Sequence, residues 1–431
     1  MALLVFGPFT LLVAGCRCSP IEAAPIPAVS QTATASATPA AASTTPAHPP
    51  AAKCPAIAWD TYAADAARTS ASPGCALGPY SVSWVWTPPS TRERESRAHH
   101  VIADPKSAYV VAVKGNSPSA YRLDVEGQAM WAYDSRADIQ RAHWPSLGHG
   151  SLVLNDDGFY LLHEDTGRPR WDRGLDTWGQ TLFDDERWYL VNTWHVEGPG
   201  VFVGAFDLEG KTLWKANKYG GSVKEDVMED CGALALSDGV LFQAANYKFA
   251  PYSGVFAFEA KTGALQWSKP TMPVGDLSVG GGRLFSIEKE ARGREPRLVA
   301  RDTSTGQTSW QVGVPGVRAA APVVAAGLVI VDRGDLGVFA YDAETGAESW
   351  RAAAGKRSER VPLSTTLAAA LGTGTLVITA VDGVSIVSLA DGSQRWSGAP
   401  GGLSDFHSPV IVGTRIYVIA GTSVVALDLA D

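Results

Sequence analysis

The sequence predicts an all-β chain folded as an eight-bladed β-propeller of four-stranded antiparallel blades, and three observations predict it. A short phrase ending in tryptophan recurs seven times, at spacings of 40 to 53 residues. The segments between copies alternate apolar and polar side chains, the period of strands rather than of helices. Each end of the chain carries a fragment of one further copy.

The best copy is "VFAYDAETGAESW", ending at Trp350, and the others end at Trp131, Trp171, Trp214, Trp267, Trp310 and Trp396. Read locally, "VFAYD" is a strand, "AETG" a turn with glycine where positive φ is needed, and "AESW" the returning strand. Four strands of five or six residues with their turns consume about one such spacing, which is one propeller blade. The tryptophan ends the outer hairpin, where a large flat ring can fill the gap between two twisted sheets. Each blade therefore needs its neighbour.

Seven complete copies run from about residue 98 to 396. The tail from His407 supplies "HSPVIV", "RIYVIAG" and "SVVALDLA", three strands without a fourth. Near the N-terminus, "YSVSWVWTPP" aligns with the fourth strand of other copies and puts Trp84 in the tryptophan slot. An eighth blade made from both ends closes the ring, leaving few strand edges for a partner to pair with.

Composition agrees with a globular fold, with 45% apolar and 19% charged residues among 431. The formal charge of −8 argues against nucleic acid as a partner. The first 16 residues, "MALLVFGPFTLLVAGC", are apolar and too short to span a bilayer. Val13-Ala14-Gly15-Cys16 resembles the lipobox of bacterial lipoproteins, in which the cysteine is lipidated after cleavage. That resemblance implies an exported chain anchored through Cys16. Arg17, in place of the aspartate that retains such proteins at the inner membrane, implies the outer membrane. No Lys or Arg precedes the apolar run, where signal peptides normally carry positive charge, so either the true start lies upstream or the resemblance is accidental; the alternative is an ordinary cleaved signal.

Residues 17–53 are Ala, Pro, Ser and Thr with hardly a large apolar side chain, the composition of a solvated tether. Residues 54–431 are expected to form a single propeller, working as a monomer. In an oxidising compartment Cys54 and Cys75 are the natural disulfide pair, Cys18 a free thiol and Cys231 a small buried hydrophobe.

The "D-x-x-T-G-x-x-x-W" phrase resembles the tryptophan-docking repeat of the pyrroloquinoline-quinone (PQQ) propeller family. Asp342, Thr345, Gly346 and Trp350 match it fully, as do Asp302, Thr305, Gly306 and Trp310. The leading "AWDTYAADAARTS" is similar to the segment that precedes the first strand in such proteins. One branch, the quinoprotein dehydrogenases, holds PQQ and calcium at the ring centre beneath a pair of adjacent cysteines. This sequence has no adjacent cysteines and short inter-strand connections, so PQQ is not expected despite the repeat type. The other branch, the BamB-like lipoproteins of the outer-membrane β-barrel assembly machinery, is lipid-anchored and non-catalytic. That resemblance implies a scaffold with a protein partner; the alternative is a PQQ-dependent dehydrogenase or a propeller binding a small ligand or metal in its channel.

Residues just before each inner strand are expected to line the channel mouth. They are His99 and His100, His149, Asp176 with Trp178, Asp230, Asp276, Arg318, Ser364 with Thr365, and Asp405 with His407. No metal-ligand spacing and no nucleophile elbow appears among them, and a polar, water-filled channel is the plainer reading. The connections 193–200 and 246–254 carry Trp194, His195, Tyr247, Phe249 and Tyr252, the aromatic type that anchors protein interfaces. The alternative is that these side chains fold onto their own blades.

Overall fold

The computed structural model describes residues 54–61, 63–90, 96–114, 117–134, 145–156, 158–173, 180–192, 202–217, 233–245, 253–290, 294–318, 321–357 and 365–430. Their alternating sequence forms eight sheets, each built on four antiparallel strands running from the axis outwards, and the seventh adds Ala71–Ser72 as a parallel fifth strand. The first blade comprises Ser96–Ala103, Ser107–Lys114, Ser117–Asp124 and Ala129–Asp134. The sixth comprises Val323–Ala325, Leu328–Asp332, Val338–Asp342 and Glu348–Ala352. Inner and middle strands are buried almost throughout, as in Leu376, Val377 and Ile378, whereas outer strands alternate exposed and half-buried residues.

The eighth blade is shared between the chain ends. Tyr80–Trp86 pairs antiparallel with Ser423–Leu429, with Tyr80 opposite Leu429 and Trp86 opposite Val424. Arg415 reinforces the junction, gripping Asp428 through two bonds of 2.7 Å and donating to the Val125 carbonyl of the first blade at 2.6 Å. The ring is closed. Each outer strand nevertheless ends its own sheet, so its outer edge faces the circumference; closure does not remove those edges.

The tryptophans dock as a ratchet between neighbours. Trp310 of the fifth blade donates its indole N–H to Ala343 of the sixth, and Trp350 of the sixth to Leu389 of the seventh. Trp84, Trp131, Trp214 and Trp267 make the same bond to Val125, Glu164, Ala260 and Thr303. Each of these rings presses on the turn glycine of the next blade, and Trp396 presses on Gly78, just ahead of the shared strand. All eight outer strands, that of Trp171 included, have a register shift at the residue before the tryptophan. Such a bulge bends the strand and re-aims the next side chain, here towards the adjacent sheet.

The segment between Cys54 and Cys75 is a belt around the axis. Trp59 exchanges backbone bonds with Ala103 of the first blade, and Asp60 accepts from Leu147 of the second. Ala66, Ala67, Thr69 and Ser70 then accept from Leu236, Val279, Val324 and Ala369 of the fourth to seventh blades. Arg68 reaches the third through the Thr181 carbonyl at 2.8 Å, and Cys75 donates to Gly413 of the eighth at 2.7 Å. Every blade is touched at least once around the circle. The Cys54–Cys75 disulfide buckles the belt where it meets itself. Apart from Thr181, which Arg68 reaches at the start of its strand, the contacted residues lie towards the far ends of the inner strands, so the belt covers one end of the channel.

Candidate functional site

The opposite end, where the inner strands begin, gathers polar side chains against a buried surface. Gln180, 1% exposed, precedes the third blade's inner strand; its side-chain NH2 donates to Asp276 at 2.8 Å and its carbonyl accepts from Leu234 N–H at 3.0 Å. One amide thus ties the third, fourth and fifth blades. Between the sixth and seventh, Asp332 pairs with the Arg357 guanidinium at 3.0 Å and accepts the Thr366 hydroxyl at 2.5 Å. Both members of that ion pair are buried, so the hydrogen bonds that surround it offset the cost of desolvating two charges.

His407, 2% exposed, lies in the eighth blade's inner strand at an irregularity that puts Ser408 at positive φ. Its Nδ1 is 3.1 Å from the Ser408 hydroxyl, and its Nε2 is buried without a hydrogen-bond partner. Burial pushes its pKa down to about 4, His99 and Arg318 push the same way, and Asp405 opposes them. His99 is likewise driven to about 4, by burial first and then by Arg97, and packs edge-on against His100 with ring centres 4.5 Å apart. Both imidazoles are neutral at pH 7 and available as acceptors or ligands rather than as cations.

At the belt end the charges differ. Arg68 is fully buried, donating to the Leu234 and Thr181 carbonyls and, at 2.6 Å, to the Thr61 hydroxyl. Burial and neighbouring Asp65 raise the Asp60 carboxyl to about 6. The guanidinium bonds fix the belt rather than present a reactive group.

A family described as outer membrane protein assembly factor BamB matches residues 116–276 and 251–431. The chain belongs to that family. A solved member, BamB from Moraxella catarrhalis, is 16% identical with a TM-score of 0.53, covering 78% of this chain and 96% of that one. The BamB-like fold is shared more widely. The quinohemoprotein alcohol dehydrogenase of Comamonas testosteroni is 13% identical with a TM-score of 0.58, covering 87% and 81%. A tetrathionate hydrolase of Acidithiobacillus ferrooxidans is 23% identical over 312 residues, and the chain spans 57% of its length. At these identities the solved neighbours speak to fold alone.

For a BamB-family chain, the residues expected at the mouth divide into three groups. His407 is second in its inner strand with Asp405 just before it at positive φ, Arg318 and Thr365 precede theirs, and Asp276 and the His99–His100 pair sit at register irregularities inside theirs. His149 is elsewhere. Its inner strand is Ser146–Gly148, and His149 follows it in the exposed turn at the belt end, its Nε2 2.6 Å from the Asp184 carbonyl. The sequence reading took the second strand, "SLVLND", for the inner one because the true inner strand is only three residues long. Asp176, Trp178, Asp230 and Ser364 lie outside the described residues, as do Trp194, His195, Tyr247, Phe249, Tyr252, Cys16, Cys18 and Cys231. Sequence reasoning did not single out Gln180, Asp332 and Arg357; an Asp ending an apolar strand, "LVIVD", was their faint signal.

Among the described residues no group of three His, Cys, Asp or Glu side chains is placed to hold a metal ion, and no helix is long and apolar enough to cross a membrane.

Proposed function

We propose that this chain is a non-catalytic scaffold that docks a protein partner in outer-membrane β-barrel assembly, tethered to the outer membrane through lipid on Cys16. The observation that carries the reading is the BamB family match, which runs from residue 116 to the last residue. The belt supports a choice of face, because it occupies the opposite end of the ring. In the third blade, Arg187–Asn192 ends and Phe202–Asp207 begins on the mouth side, so the connection bearing Trp194 and His195 joins strands there. The fourth blade's Val240–Ala245 and Gly254–Glu259 flank the connection with Tyr247, Phe249 and Tyr252 in the same way. Two connections whose sequences carry aromatic anchors suit protein docking better than turnover of a small substrate.

Affinity capture from solubilised outer membranes tests this, with the full chain and with Cys16→Ser. The expected result is recovery of a β-barrel assembly component by both, with Cys16→Ser shifted from the membrane to the soluble fraction. Recovery of no such component, together with dye-linked alcohol oxidation once PQQ and calcium are added, would replace the scaffold with the dehydrogenase reading that the fold neighbours keep open.

A further inference from the structure

Four belt residues sit in a backbone region that side chains disfavour. Ala63, Ala64, Arg68 and Ser70 have φ of +59°, +77°, +61° and +52°, and none of them is glycine. Such conformations persist only where neighbours over-determine them, and the neighbours here are inner-strand ends spread around the circle. The bonds come singly: Leu147 donates to Asp60, then Leu236, Val279 and Val324 to Ala66, Ala67 and Thr69. Contacts strung out in this way resist a pull shared among them far better than one that loads them in turn from an end.

A pull on the propeller would arrive at Cys54, where residues 17–53 join the folded chain. That end is lightly held, since Pro55, Ala56 and Ile57 are exposed and the first backbone bonds come at Trp59. The other end is firm. Ala71 and Ser72 pair with Ala369 and Ala370 of the seventh blade, and the Ser72 hydroxyl donates to Ile411 of the eighth at 2.9 Å. Cys75 donates to Gly413 at 2.7 Å, Gly74 accepts from Gly372 at 2.9 Å, and Ala76 donates to the Thr373 hydroxyl at 3.0 Å.

We propose that the Cys54–Cys75 disulfide is a load bypass. Joining the light end to the firm one, it passes tension from residues 17–53 straight to the segment anchored on the seventh and eighth blades. The stretch from Pro55 to Ser70 then carries none, and the belt end of the channel stays covered. Without the covalent link the same tension falls first on Trp59 at the first blade, then on Asp60 at the second, and the left-handed residues relax as they leave. The inference takes from the proposed function only that residues 17–53 tether the propeller, not its partner or its lipid.

The test pulls single full-length chains between a handle at Ser43, within residues 17–53, and another at Glu344, in an exposed turn of the sixth blade. In the oxidised wild type no lengthening should precede rupture of the ring. In Cys54→Ser/Cys75→Ser an early event should release about 70 Å of chain, the extended reach of the bridged segment. Dithiothreitol, which closes to its own disulfide as it opens this one, should produce the same event in the wild type once alkylation of both cysteines is verified. That readout stands even if the double variant fails to fold. An early event of that length in the oxidised chain, or its absence from both opened forms, would overturn the proposal. Neither arm needs lipid, so membrane fractionation of Cys16→Ser tests the anchor separately.

Discussion

At Gly346 the backbone has φ +74°, and a Cβ there would come within 2.6 Å of the Trp310 ring of the preceding blade. The turn alone asks for glycine because of its φ; the docked indole asks for it a second time. Gly327 has nearly the same φ, +75°, with nothing within 4 Å. The pair separates the two demands. Gly327→Ala should cost about 1 kcal/mol from backbone strain, whereas Gly346→Ala should cost about 2–4 kcal/mol because overpacking against the ring is added. Urea unfolding of both variants measures this, and equal losses would refute the docking contribution. The turn glycine was legible in the sequence from its place after Asp and Thr. The bulge before each tryptophan was not, because the extra residue varies (Met130, Arg170, Ser309, Arg395) and has no chemistry in common.

The belt shows how an element without regular structure can organise those that have it. Its hydrogen bonds reach across as many as 339 residues of sequence, from the Ser72 hydroxyl to the Ile411 carbonyl. No local period encodes such partners, so the sequence revealed the disulfide but not the path between its cysteines. The composition of "AWDTYAADAARTS" suits that path: small alanines pass close to eight strand ends, and one long cation, Arg68, spans the axis. Opening the disulfide frees a loop with a sequence separation of 21. The double variant Cys54→Ser/Cys75→Ser should lose about 3 kcal/mol of stability in the chain-entropy view. Hydrogen exchange should rise first at Leu147, Leu236, Val279 and Val324, whose amides the belt holds. Loss of stability with unchanged protection at those four amides would show that the belt does not depend on its buckle.

Across the whole molecule, the number of blades and the shared eighth sheet were legible, because both follow from a repeated pattern, whereas the second blade's three-residue inner strand was not. The mouth was legible only in part, because which polar residue meets which depends on the ring's curvature. The mouth also governs response to acid. His407 has its pKa lowered in the folded state, so the unfolded chain binds the extra proton between about 6.5 and 4. Its contribution is complete above pH 6.5 and lost as pH falls through that window, on the order of 3 kcal/mol in all. Asp60 works in the opposite sense, since its raised pKa of about 6 favours the folded state at lower pH. The exposed turn carboxylates of Asp302 and Asp391, held near 2 by hydroxyl and backbone donors, lose their contribution only at still lower pH. Comparing the wild type with His407→Gln isolates one group. The stability gap between them should narrow steadily from pH 7 to pH 4.5, and a constant gap would show that the imidazole is not neutral in the fold.

The strand that pairs Tyr80 with Leu429 has a consequence in time as well as in space. A ribosome makes Tyr80 long before Leu429, so its strand waits, unpaired, while the seven blades between them emerge. Contacts of such long sequence separation form late and slowly, because the entropy of joining distant segments is lost before their pairing returns any stability. Until that final zippering, the growing polypeptide is an open arc with two sticky flanks, and whatever chaperones it must shield both.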